Sequence, residues 1–326
     1  MSILRRPSST SVRRALAAAA ATPLLLLAAC GNGGEDALDS GSGSGSGGSG
    51  DEVVIAYQDY TEMQIMAEMY AALLEDAGYA PTLKGLGDRT LYAGELGSGG
   101  VDVAPEYVSS MTEYLNKDIN GPDAKPVASP DVDETLATLE ELGSQAGVTP
   151  LQPAEAEDAN AFAVTTEFSE TNGVTTLSDL GNYDKPVALA AAPDCPDRDD
   201  CKLGLESVYG VEISTFEPLG FGSTQTKDAV TSGEVEVGQV GTSDGSLQNL
   251  GLVVLEDDKD WQNAENLVPV VNTEFLDAHP DVADALNKLS DTLTTEDLMT
   301  LNAKVDSERM LPEDVASDYL TQKGLV

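Results

Sequence analysis

The chain has 326 residues, 57 of them acidic against 17 basic, for a formal net charge of −40. That length suits two domains, each able to bury a core of its own; so acidic a balance repels nucleic-acid phosphates, and 41% hydrophobic residues is too many for a disordered acidic chain. One His and three Cys leave little for a zinc site, and the long apolar run lies within the first 30 residues, so no internal segment reads as a membrane span.

Residues 1–30 carry Arg5, Arg6, Arg13 and Arg14 and no acid, followed by an apolar stretch from Ala15 to Ala29 that includes Leu24–Leu27. This is the basic-then-apolar pattern of an export signal. It ends in Leu27-Ala28-Ala29-Cys30, which resembles a bacterial lipobox and implies that Cys30 is lipidated and becomes the new N-terminus, with a mature charge of about −44. Residues 31–52 form a Gly/Ser-rich flexible tether, whose root-mean-square reach is roughly 25 Å. With Cys30 taken by lipid, Cys195 and Cys201 remain as an even pair in an oxidising setting, so a disulfide is expected there, pinning a loop in the second half of the chain rather than a ligand cleft.

From Val53 onward, short β-rich runs alternate with helical ones. Val53–Tyr57 reads as a strand, and Thr61-Glu62-Met63-Gln64 as a capping box opening a helix to about Ala77, with Ile65, Met66, Met69 and Leu73 on one apolar face and Gly78 ending it. These methionines are read as core. A strand near Leu83, a helix near Leu91–Leu96, a strand at Val101–Val103, a helix near Glu134–Leu142 and a strand near Val148–Leu151 follow. The second half repeats the grammar, with strands at Ala161–Val164, Pro186–Ala190 and Val235–Val240 and helices near Gly204–Tyr209 and Thr226–Thr231. One phrase is shared: Leu96–Ala104 (LGSGGVDVA) echoes Val230–Gly238 (VTSGEVEVG). Alternating elements of this kind imply two α/β lobes of mainly parallel sheet, with a ligand beyond the carboxyl ends of the strands, in the cleft between lobes.

Catalytic groups are scarce. His279 precedes Pro280 at an apparent helix start, no phosphate-cradling G-x-x-x-x-G-K-[ST] loop occurs, and the Gly cluster at 94–100 reads as helix end and turn. Neither a cofactor nor a metal is expected. The pattern points to a binding protein rather than an enzyme.

The run IAYQDYTEMQIMAEMY, Leu86-Gly87-Asp88-Arg89, GGVDVAPEYVSS with its Pro105-Glu106-Tyr107, Asn160-Ala161-Phe162-Ala163, DCPDRDDCKLGLESVYG, TSDGSL and LVVLEDDKDWQNAENLVPVV resemble, in this order, the substrate-binding proteins of osmoprotectant ABC importers. The resemblance implies an α/β two-lobed periplasmic-binding-protein clamshell (type II), lobe one comprising residues 51–158 and 272–326 and lobe two 159–271. It implies no enzymatic activity. The implied function is capture of a quaternary-ammonium solute (glycine betaine, choline, carnitine or similar) outside the cytoplasmic membrane and delivery to an ABC permease. A lipid-anchored sensor or structural lipoprotein, or a carrier of another small polar solute, are the rival readings.

A quaternary ammonium has no N–H to donate and is held by aromatic faces, each contributing about 0.5–2 kcal/mol. By the resemblance, Tyr60 and Tyr107 would face Phe162 and Trp261 across the cleft, with Tyr57 and Tyr92 as packing. Thr61, Gln64, Asn160, Thr226, Asp244 and Asn266 are polar candidates, and Arg89, pointing inward, would suit a carboxylate. Where relatives carry aromatics after Trp261, this chain has Gln262-Asn263-Ala264-Glu265.

Overall fold

The computed structural model describes residues 50–326. The expected signal, Cys30 and all of the tether before Gly50 lie outside the described residues. The chain forms two five-stranded sheets, each flanked by helices.

The first sheet is assembled from both ends of the sequence. Strand β1 (Glu52–Gln58), helix α1 (Thr61–Asp76), β2 (Ala80–Leu86), α2 (Ala93–Ser98), β3 (Val103–Tyr107), α3 (Val108–Asn120), α4 (Val132–Ala146) and β4 (Val148–Pro150) lead to the first crossing. Strands β1, β2 and β3 run parallel. Ile65, Met66, Met69 and Leu73 of α1 are at most 2% exposed, as their spacing on one face requires. Gly78 lets the chain turn back at φ 98°, a conformation a side chain resists.

The second sheet holds β5 (Asn160–Thr165), β6 (Val187–Ala190), β7 (Ile213–Glu217), β8 (Val237–Gly241) and β9 (Leu252–Val254), in the order β7-β6-β8-β5-β9. Between them lie α5 (Thr166–Asn172), α6 (Leu177–Gly181), a short turn α7 (Lys202–Gly204) and α8 (Thr224–Thr231). The chain then returns to the first sheet as β10 (Leu267–Asn272) and closes with α9 (Thr273–Ala278), α10 (Asp281–Ser290), α11 (Thr295–Asp306) and α12 (Pro312–Lys323), the last three packed against α1.

Three expectations are corrected. Leu267–Val271, assigned above to lobe two, is antiparallel to both β3 and β4 in the first sheet; an apolar run satisfies either sheet, so its sequence does not choose. The capping box is absent: the Thr61 hydroxyl donates to Asp306 Oδ1 at 2.7 Å, and Gln64 Nε2 donates to Asp59. The strand expected at Val101–Val103 begins only at Val103.

The shared phrase has a structural counterpart. Just before β3 the Asp102 carboxylate accepts the Val54 N–H at 2.7 Å, and just before β8 the Glu236 carboxylate accepts the Ala188 N–H at 2.7 Å. Each acid supplies a ladder partner to the neighbouring parallel strand before regular pairing starts.

Candidate ligand cleft

Two crossing segments join the lobes and pair with each other: Ala154 N–H donates to Leu267 O at 2.8 Å, Leu267 N–H to Ala156 O at 2.9 Å, and Asp158 N–H to Glu265 O at 3.0 Å. Beside them, beyond the carboxyl ends of β3 and β6, lies a cavity of about 320 Å³. Lobe one gives it Tyr107 and Ser110; lobe two gives Asn160, Arg198, Asp200 and Phe221; the crossings give Asp158, Gln262, Asn263 and Glu265.

Tyr107 ends β3 and sits in a buried chain of bonds. Its hydroxyl donates to Glu62 and accepts from the Tyr60 hydroxyl at 3.1 Å, while Asn302 Nδ2 donates to the other Glu62 oxygen at 2.7 Å and to Ser243 O at 3.1 Å. Burial, then the Glu62 charge, holds the Tyr107 phenol far above its ordinary pKa. One residue earlier, the fully buried Glu106 accepts two bonds from Arg89 Nε, both 2.9 Å, one from Nη2 at 2.6 Å, and one from the Tyr92 hydroxyl. Burial alone would lower the Arg89 pKa; Glu106 more than reverses this.

The floor is acidic. Burial pushes Asp158 up to about 7, with Glu62 adding to the effect and Ser243 opposing it. Burial also pushes Glu265 up to about 7, opposed by bonds from the Ser110 hydroxyl and N–H and by Arg89. A carboxylate with few donors in a desolvated site is stabilised by any cation that enters.

The sequence-named residues divide sharply. Tyr107 and Asn160 line the cavity, and Tyr60 joins it through Tyr107. Phe162 is 1% exposed and stacks on Trp261 with centroids 6.2 Å apart, inside the second lobe's own core; neither ring lines the cavity. Arg89 is spent on Glu106 rather than free for a solute carboxylate. Thr61 faces α11, and Gln64 is bonded to Asp59. Asp244 pairs with Lys227 at 2.7 Å, Thr226 donates to Gly220 O at 2.6 Å, and Asn266, outside this cavity's lining, donates to Ala154 O at 2.9 Å. Phe221, on a loop between Gly220 and Gly222, is not among the residues named from sequence; its place between two glycines, which the structure holds at positive φ, was the available signal. The departure at Gln262-Asn263-Ala264-Glu265 falls on the cavity wall itself.

Cys195 and Cys201 form the expected disulfide, with Cα atoms 5.2 Å apart. Its position corrects the expectation: the loop it closes carries Arg198 and Asp200 into the cavity wall, so it bounds the cleft.

A site shared between two lobes and their crossings, lined by carboxylates, amides and aromatic rings, is that of a solute-binding protein. The chain belongs to the OpuAC family, the substrate binding domain of the ABC-type glycine betaine transport system, which matches residues 51–322; this is a family of transport components, not of enzymes. It is similar to the glycine-betaine-binding protein of Pseudomonas aeruginosa, 28% identical over 283 residues covering 83% of this chain and 88% of the relative. It is also similar to the carnitine transport binding protein OpuCC of Listeria monocytogenes, 24% identical with 85% and 88% covered. Among solved structures, apo YehZ from Escherichia coli superposes with a TM-score of 0.73 at 27% identity, covering 84% of this chain and 99% of that one. Among the described residues, no helix is long and apolar enough to cross a membrane.

Proposed function

We propose that this protein captures a quaternary-ammonium solute of the glycine betaine, choline or carnitine kind between its lobes, outside the cytoplasm, and delivers it to an ABC permease while a lipid on Cys30 and the Gly/Ser tether hold it at the membrane. The observation that carries this reading is the cavity's charge balance. Asp158 and Glu265 lie half-buried in its floor and Glu62 stands behind Tyr107, while the nearby Arg89 is neutralised by Glu106 and Arg198 by Asp200. Two floor carboxyls without a basic partner favour a cation, which draws off their protons, and the rings of Tyr107 and Phe221 suit one without N–H groups. The names of the family and of the relatives support the same class of solute.

Calorimetry with glycine betaine, choline and carnitine tests this, each beside a neutral analogue of equal shape. Saturable heat from at least one of these quaternary amines, and none from its analogue lacking the ammonium charge, is expected. Binding of a sugar or an anion, with no quaternary amine bound at millimolar concentration, overturns it.

A further inference from the structure

We infer that the Cys195–Cys201 disulfide is a positioning element of the ligand cleft, so that the redox state of this pair sets how tightly the cleft holds its solute. The inference rests on the reading of the interlobe cavity as the ligand site.

Between the two cysteines, no residue of the loop is buried: Pro196, Arg198 and Asp200 are partly exposed, and Asp197 and Asp199 are exposed. Both cysteines are 0% exposed and belong to the second lobe's core. The half-cystines are therefore the loop's anchors, and what they anchor is the cavity wall. The Asp200 carbonyl accepts from Asn160 Nδ2 and, at 3.1 Å, from Gln262 Nε2. Asn160 Oδ1 accepts from Gln239 Nε2 at 2.7 Å, and Gln239 Oε1 accepts from the Ala192 N–H at 2.9 Å. A relay of amides thus runs from the chain before the loop, through fully buried Gln239, to the two cavity residues Asn160 and Gln262. Each amide is oriented by its neighbour, because reversing one sets donor against donor. The last link is the Asp200 carbonyl, adjacent to Cys201, while the Arg198 fork on the Asp200 carboxylate holds both side chains on the wall.

Reduction by a dithiol breaks the S–S bond: the protein gains two electrons and two protons as two thiols, and the dithiol becomes a disulfide. The freed loop then has to be reordered whenever ligand binds. Closing a seven-residue ring is about a 50-fold effect at most in the chain-entropy account, equivalent to about 2.3 kcal/mol.

The experiment follows choline and glycine betaine binding by calorimetry on the oxidised protein, on protein reduced with dithiothreitol and shown by thiol count to carry two free thiols, and on the same sample reoxidised. The expected result is a 5- to 50-fold weaker Kd on reduction, restored on reoxidation. In parallel, the side-chain amide resonances of Asn160, Gln239 and Gln262 should shift or broaden on reduction, a change that loss of stability alone would not confine to these three. Gln239→Leu, which cuts the relay without touching the cavity or the disulfide, should weaken binding at least threefold in folded protein. Unchanged Kd and unchanged amide signals in the reduced protein overturn the inference, as does full affinity in folded Gln239→Leu. If the oxidised protein binds no quaternary amine while the three amides still move on reduction, the solute assignment falls and the positioning role stands.

Discussion

The strongest test of the acidic floor is Asp158→Asn, read as a function of pH. Asp158 holds its proton up to about pH 7 in the folded protein, through burial first and Glu62 second, whereas an unfolded Asp releases it near pH 4. Between those values the folded state binds more protons than the unfolded one, so stability falls as pH rises from about 4 to about 7 and levels off above. A displacement of roughly three pH units corresponds to about 4 kcal/mol. The bond from Ser243 to the carboxylate is retained by the amide oxygen of Asn. Asp158→Asn should therefore raise the unfolding free energy at pH 8 by about 2–4 kcal/mol and leave it unchanged at pH 3.5, where the native carboxyl is already neutral. Urea unfolding followed by circular dichroism at both pH values measures this; the difference between variant and parent removes the contribution of the other acids. An equal gain at both values, or a less stable variant at pH 8, refutes the reasoning.

The same charges bear on the ligand. A cation in the cavity should pull protons from Asp158 and Glu265, so affinity should rise between pH 6 and 8 with proton release, seen by calorimetry in buffers of different ionisation enthalpy. Phe221→Ala, at a side chain 48% exposed, should leave the melting temperature nearly unchanged yet weaken a quaternary amine by about 0.5–2 kcal/mol; an unchanged Kd would remove Phe221 from the site. Glu106→Gln should cost about 3–5 kcal/mol, because Arg89 is left without its counter-charge, and a thermal melt within a degree of the parent would contradict that. Cys30→Ala should abolish incorporation of radioactive fatty acid while leaving ligand affinity intact; a parent protein that takes up no label ends the lipoprotein reading.

Periodicity made β1, α1 and the alternation of the second half legible, because apolar spacing reports a buried face directly. It failed where partners are distant in sequence. The Thr61 hydroxyl has an N-cap's chemistry, yet its partner is Asp306, which no local window contains. Helix α3 was not read because it opens at Tyr107 with no side-chain cap and continues directly from a strand. For the site, motif position located Tyr107 and Asn160, which terminate or begin strands at the cavity. Phe162 and Trp261 hold motif positions too, but each is the other's packing partner. Arg89 was legible as a cleft cation only until Glu106, 17 residues on, was seen to occupy it.

The placement of β10 between β3 and β4 has a consequence for how the chain acquires its structure. The second sheet is drawn from one contiguous stretch and has all its strands once β9 is made. The first sheet lacks the strand that joins β4 to β3 until Asn272 exists, and α1 lacks its cover until α10–α12 follow. During synthesis β1, β2 and β3 have their partners early, whereas β4 and the outer face of α1 wait for segments that arrive after the whole second lobe. The first lobe is therefore completed only after the second.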